Sequence, residues 1–273
     1  MTRSRAKRIE TVIYFAIIAV IVVVVILQRL PAGSVHVAPA STPFTDGCTT
    51  TDPASPMPAT DAQAITYVAQ KKDVAGLVTK FGGQPTWLEK PQWPISRSQN
   101  VPMTFIGQIV IDPKQFPGSK AKMAYLFISD GVHWADGMWD PDHGENAVIL
   151  QPGGQVEVTV SHQATGPSET TDGKRQVAYL ARQTTEHEPA YLSENQLQGK
   201  THKQFDAYEK RIEEDKIGGV PSWIQGAEFP CTADRLLLQF GSVPFDVNLG
   251  DAGEGYAFIN STGTVGKLLT QSY

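Results

Sequence analysis

The feature that most restricts the fold of this chain is a phrase it carries twice. Residues 80–94 read KFGGQPTWLEKPQWP and residues 216–230 read KIGGVPSWIQGAEFP. Aligned without gaps they share Lys80/Lys216, Gly82/Gly218, Gly83/Gly219, Pro85/Pro221, Trp87/Trp223 and Pro94/Pro230. The echo continues downstream: Gln108 stands 17 residues before Tyr125 of YLFI, and Gln239 stands 17 before Tyr256 of YAFI. Equal spacing at two separate landmarks identifies an internal duplication. A chain built this way has to bury two like units against each other.

Each unit reads as turn, strand, connection, strand. MTFIGQIVI and RLLLQFGSV are short apolar, β-branched runs that suit buried strands, as do MAYLFIS and GYAFINS. Paired glycines tolerate positive φ and the proline that follows forces an extended exit. The Trp two residues on then directs a large ring at one place, most simply a core. Between the copies, NAVILQPGGQVEVTV predicts a hairpin and residues 161–200 a polar surface excursion. THKQFDAYEKRIEED places Phe205, Tyr208 and Ile212 at helical spacing. Thr60 and Gln63 form a capping-box pattern that predicts a short helix over DAQAITYVAQKK. The expected class is α+β, a strand-dominated domain with internal pseudo-two-fold duplication, preceded by one N-terminal transmembrane helix.

That helix is expected from TVIYFAIIAVIVVVVIL, an apolar run without a polar face, long enough to reach across most of a bilayer core. Arg3, Arg5, Lys7 and Arg8 precede it and place the N-terminus inside. The nearest small-residue cleavage pattern, Ala38-Pro39-Ala40, lies beyond Arg29, which favours an anchor over a cleaved signal. The expected organisation is a cytoplasmic basic segment at 1–10, an anchor at 11–28, a Pro/Ala/Ser/Thr-rich tether at 29–60 and a folded domain at 61–273. Within that domain the repeat units are about 80–130 and 216–262, with an insert at 131–215. The expected location is the bacterial cytoplasmic membrane, single-pass, with the domain in the periplasm or on the cell surface.

Past residue 29 the chain carries 18 basic against 27 acidic residues, a formal charge of −9, which argues against a nucleic-acid partner. Cys48 and Cys231 are the only cysteines, and in an oxidising compartment such a pair reads first as a disulfide.

Taken in order, GGQPTW, PMTFIGQIVID, YLFIS, KIGGVPSWIQ, LLLQFGS and GDAGEGYAFI cover roughly residues 76–273. This ordered set resembles the YwqG-like family, a bacterial domain of unknown function. The resemblance implies an α+β fold with internal duplication and supplies no catalytic residues.

For chemistry the densest polar cluster is DGVHWADGMWDPDHGEN, which holds His133, Asp136, Asp140, Asp142, His143 and Glu145. Carboxylates at Asp-x-Asp spacing can converge on a cation. Here Gly144 stands where an EF-hand loop needs an oxygen ligand, and no zinc spacing is present, so neither metal nor cofactor is expected. The cluster is a candidate binding surface, with a solvated loop as the plain alternative. No G-x-S-x-G elbow or H-E-x-x-H motif occurs. The repeated Gly82, Gly83, Pro85, Trp87 and Gln108, with Gly218, Gly219, Pro221, Trp223 and Gln239, read as scaffold. The leading expectation is a membrane-anchored binding protein, without catalysis, presenting an acidic surface from residues 130–215 to another protein or a cell-envelope component. A protective partner for a secreted toxin is one version of it. The alternative is an extracytoplasmic hydrolase or carbohydrate-binding protein.

Overall fold

The computed structural model describes residues 57–129, 137–168, 178–230, 235–242, 244 and 247–273. Ten strands form one antiparallel sheet: β1 (Thr60–Ala69), β2 (Lys80–Gly82), β4 (Thr104–Val110), β5 (Met123–Ile128), β6 (Asn146–Gln151), β8 (Ala178–Glu188), β9 (Lys216–Gly218), β10 (Arg235–Gly241), β11 (Glu254–Ile259) and β12 (Gly266–Gln271). A second, small sheet pairs β3 (Trp93–Pro94) with β7 (Val160–Ser161). The helices among the described residues are α1 (Glu194–Gln198) and α2 (His202–Glu209).

The strand order is β12-β11-β10-β9-β1-β8-β2-β4-β5-β6. Read from either end it gives the same series, because β9 to β12 are the second copies of β2, β4, β5 and β6. The symmetry centre falls between β1 and β8, which pair antiparallel over ten residues with Thr66 opposite Arg182. The two ends of the sheet approach each other. Asn146 Nδ2 of β6 donates to Leu268 O of β12 at 3.1 Å, and a Cβ on Gly266 would come within 2.6 Å of the Val148 side chain. The sheet is thus a nearly closed barrel, which removes the exposed edges a flat sheet of this size would present.

Closure explains the sequence pattern. MAYLFI and NAVILQ are buried at every position, so their runs are continuous rather than alternating. One face of the strands fills a core shared by both halves, with Ile106, Leu126, Leu238, Phe240 and Ile259. The other face lies under two outer cores. Trp93, Phe105, Tyr125 and Phe127 make the first, and Phe229, Tyr256 and Phe258 make the second.

Several expectations are corrected. The class is not α+β behind a transmembrane helix: the described residues are strand-dominated and barrel-like, with two short helices. No helix of the described residues is long and apolar enough to cross a membrane. The expected single-pass anchor, and with it the placement of the domain outside a bacterial cytoplasmic membrane, is therefore left without support; residues 11–28 themselves lie outside the described residues. The expected Cys48–Cys231 bridge is withdrawn as well. Among the described residues there is no disulfide, and both cysteines lie outside them.

The helix expected over 61–72 is strand β1 instead. Ile65, Thr66, Tyr67 and Val68 are β-branched or aromatic, and a partner strand ten residues long outweighs a local capping signal. Gln63 bonds Thr185 across that pair rather than capping a helix. The hairpin expected over 146–160 stops at β6, because Gly154 N turns back to Leu150 O and Val160 pairs with Pro94. The supposed excursion at 161–200 contains β8, half of the symmetric centre.

Candidate functional site

The repeated phrase builds the same receptor twice. Gly82 and Gly83 both have φ 68°, and Gly218 and Gly219 have φ 74° and 79°, values that favour glycine. This backbone turns the following N–H groups inward beside the phrase's lysine. In the first half the buried Lys80 Nζ binds Asp73 Oδ1 at 2.7 Å, while Gln84 N donates to Asp73 Oδ2 at 2.9 Å. In the second, Lys216 Nζ binds Glu188 Oε1 at 2.7 Å and Val220 N donates to Glu188 Oε2 at 2.7 Å. A Cβ on Gly83 would sit 2.1 Å from Asp73 Oδ1, and one on Gly219 2.2 Å from Glu188 Oε2. The glycine pair is therefore space for a carboxylate as well as a turn.

Buried amides and phenols brace each receptor. Gln108 Oε1 accepts from Thr86 N and Gln239 Oε1 from Ser222 N, at 2.8 and 2.9 Å. Tyr125 Oη donates to Thr86 O at 2.7 Å and Tyr256 Oη to Ser222 O at 2.6 Å. Trp87 lies 4.6 Å from Tyr125 and Trp223 4.7 Å from Tyr256, at tilts of 36° and 37°. Gln151 and Gln271 each accept from the backbone just past the tryptophan, at Glu89 N and Gln225 N. The scaffold residues thus hold corresponding positions in both halves.

The surroundings diverge. Around Lys216 gather Glu188, Glu209, Asp215 and Glu254. Burial pushes the Glu254 carboxyl up to about 7, against the bond from Tyr256 Oη, and the nearby Asp215 charge adds to the rise. Burial also raises Glu188, Glu209 and Asp215, each opposed by hydrogen bonds, and lowers Lys216 against the pull of Glu188. Tyr67 Oη donates to Asp215 Oδ2 at 2.6 Å. Chemically, such a cluster can hold or exchange a proton near neutral pH.

In the first half the matching place is apolar. Val110 N donates to Thr79 Oγ1 as Gly241 N donates to Asp215 Oδ1, both at 3.0 Å, so Thr79 and Val110 stand where Asp215 and Gly241 do. Here two adjoining hollows of about 430 and 340 Å³ share Leu77 and Val110. Leu77 is 60 % exposed.

The residues chosen from sequence at 130–146 divide. His133 and Asp136 lie outside the described residues. Asp142 and His143 are exposed and Asp140 half-buried, with Asp142 N bonded to Asp140 Oδ1 at 2.8 Å in a local turn. Asp142 also pairs with Lys267, which Glu157 contacts too. Glu145 is fully buried. Burial works to raise its carboxyl, but bonds from Ser129, Ser96 and Ser98 outweigh this and hold it below the usual range. Glu145 thus points away from the surface that Asp142 and His143 share, and among the described residues no group of three or more metal-ligating side chains forms. Sequence reading missed Asp73, Glu188 and Asp215. The available signal was the lysine kept at the head of both phrases within an apolar strand.

A protein-family model described as domain of unknown function (DUF1963) matches residues 79–264, from just before Lys80 to just short of β12. The chain belongs to this family. No curated protein matches it. The DUF1963 span holds both lysine–glycine receptors and Glu188, whereas β1, Asp73 and Leu77 precede it. The family description names no ligand and no reaction.

Proposed function

We propose that this DUF1963 domain, of the YwqG-like kind, is a binding module that engages another protein and performs no reaction. The YwqG-like placement is supported by the ordered motifs from GGQPTW to GDAGEGYAFI. The observation that carries the binding reading is the open trough at Leu77. It is a concave apolar surface in one half, at the position where the other half places a carboxylate. The acidic groups around Lys216 are engaged by Tyr67, Tyr256, Ser222 and Val220, which suits them to holding the barrel.

The test is in-cell photocrosslinking of the full chain with a probe at exposed positions around the trough, followed by quantification of the captured proteins. One partner recovered in stoichiometric amount is expected. Recovery at background sinks the reading. So would turnover of ester, glycoside or peptide substrates that Glu254→Gln abolishes.

A further inference from the structure

The proposed binding reading leaves open what sits in the trough, and its chemistry narrows the choice. The floor is aliphatic: Leu77, Val78, Val110, Leu180, Ile111 and Ala121. Among the described residues, the ionisable ones lining it are all cations, Arg182 at one end and Lys120 and Lys122 at the other. This is not a reflection of composition, because the chain carries a net charge of −5. The nearest acid in sequence, Asp112, spends a carboxylate oxygen on Lys114 N at 2.9 Å.

An aliphatic floor excludes a bare polyanion, which would gain nothing from leaving water over leucine and valine. A fatty acid brings one charged end, whereas the trough offers cations at both. It is also open, and a single acyl chain lying there would stay largely wet. What matches floor and ends together is an extended segment with apolar side chains flanked by carboxylates. A further hollow, about 500 Å³ between α1 and Gln225, is lined by Glu194 as well as Lys200 and makes no such selection.

We infer that the trough between Leu77 and Val110 receives an acidic, aliphatic peptide segment of a partner protein. This rests on the binding-module reading and names its surface. Leu77 supplies the apolar anchor, standing between the two hollows so that side chains of the segment drop to either side of it. Lys120, Lys122 and Arg182 select for carboxylates at its ends and steer the approach.

The experiment pans a random dodecapeptide display library on the full chain, then measures the enriched peptides by fluorescence polarisation. Enriched peptides are expected to carry aliphatic residues flanked by Asp or Glu. Leu77→Asp is expected to weaken them about tenfold or more, as loss of a central anchor does. Lys120→Glu with Lys122→Glu should weaken them by about threefold to tenfold, with the effect shrinking in high salt. Phe205→Asp, at an exposed ring in the α1–α2 hollow, serves as the control and should change nothing. Enrichment of peptides lacking acids, binding indifferent to Leu77→Asp, no enrichment, or saturable uptake of oleate in place of peptide would each overturn the assignment. A partner crosslinked in cells but still held by the Leu77→Asp chain would overturn the trough and spare the binding-module reading.

Discussion

The two halves hold a carboxylate with the same phrase and obtain it from different places. Glu188, buried, reaches Lys216 from the central strand β8, whereas Asp73, with its side chain 38 % exposed, reaches Lys80 from the loop before β2. The difference follows from the symmetry centre. Strands β1 and β8 exchange across it, and the position on the β1 side that matches Glu188 is Lys72, whose charge is wrong for the receptor. A loop aspartate fills the gap. The lesson is that the duplicated phrase specifies a geometry and a charge to be met, while the partner that meets them can drift.

Breaking the pairs should expose this asymmetry most strongly. Lys216→Met strands the buried Glu188 and is expected to cost about 3–5 kcal/mol in urea unfolding. Lys80→Met should cost less than about half of that, because Asp73 can turn to water. Equal losses would mean that the two receptors are energetically alike.

Next in size come the braces, where the halves should agree. Gln108→Leu and Gln239→Leu each leave buried backbone groups unpaired and should each lower stability by about 2–3 kcal/mol. Values differing by more than about 1 kcal/mol would show that the matched bonds carry unequal weight.

A smaller, pH-dependent effect should belong to the second half alone. Glu254 has its carboxyl raised from 4.5 to about 7 in the fold, and its counterpart in the β5 register is Met123. A raised carboxyl contributes fully below its unfolded value and loses that contribution as pH climbs through the folded one. Stability should therefore fall between about pH 4.5 and 7. Glu254→Gln should flatten that slope and add about 1 kcal/mol at pH 8, allowing for partial exposure, with little change at pH 4. Thermal melts across that range would show it, and an unaltered slope in the variant would remove Glu254 as its source.

Smallest of all, Leu77→Asp should shift unfolding by no more than about 0.5 kcal/mol, since the side chain is mostly in water. A large loss would make Leu77 a packing residue and take away its role as a free anchor.

The duplication and the strands that share it were legible from residues 80–94 and 216–230 and the equal spacing that follows them, because turn chemistry and apolar runs are local. Strand β1 was not, since in DAQAITYVAQKK the capping pattern at Thr60 and Gln63 competes with the β-branched and aromatic residues 65–68 until β8 lies beside them. Nor was the fate of Glu145 legible: two residues past the exposed His143, it is pulled inward by serines from two other segments. Most of the candidate site was missed for the same reason, as Asp73, Glu188 and Asp215 meet their lysines and tyrosine only after the sheet has curled.

By itself, then, the amino-acid order determined that two like units exist and what each needs: a strand buried on both faces, a glycine pair and a lysine wanting a counter-ion. Tertiary structure alone decided which carboxylate answers each lysine, that the sheet nearly closes on itself, and that one half presents an open apolar trough where the other sets a half-buried carboxylate. Propensity and pattern act over a few neighbouring residues. Burial and charge pairing depend on distances between segments far apart in the chain, and those distances come into being only with the fold.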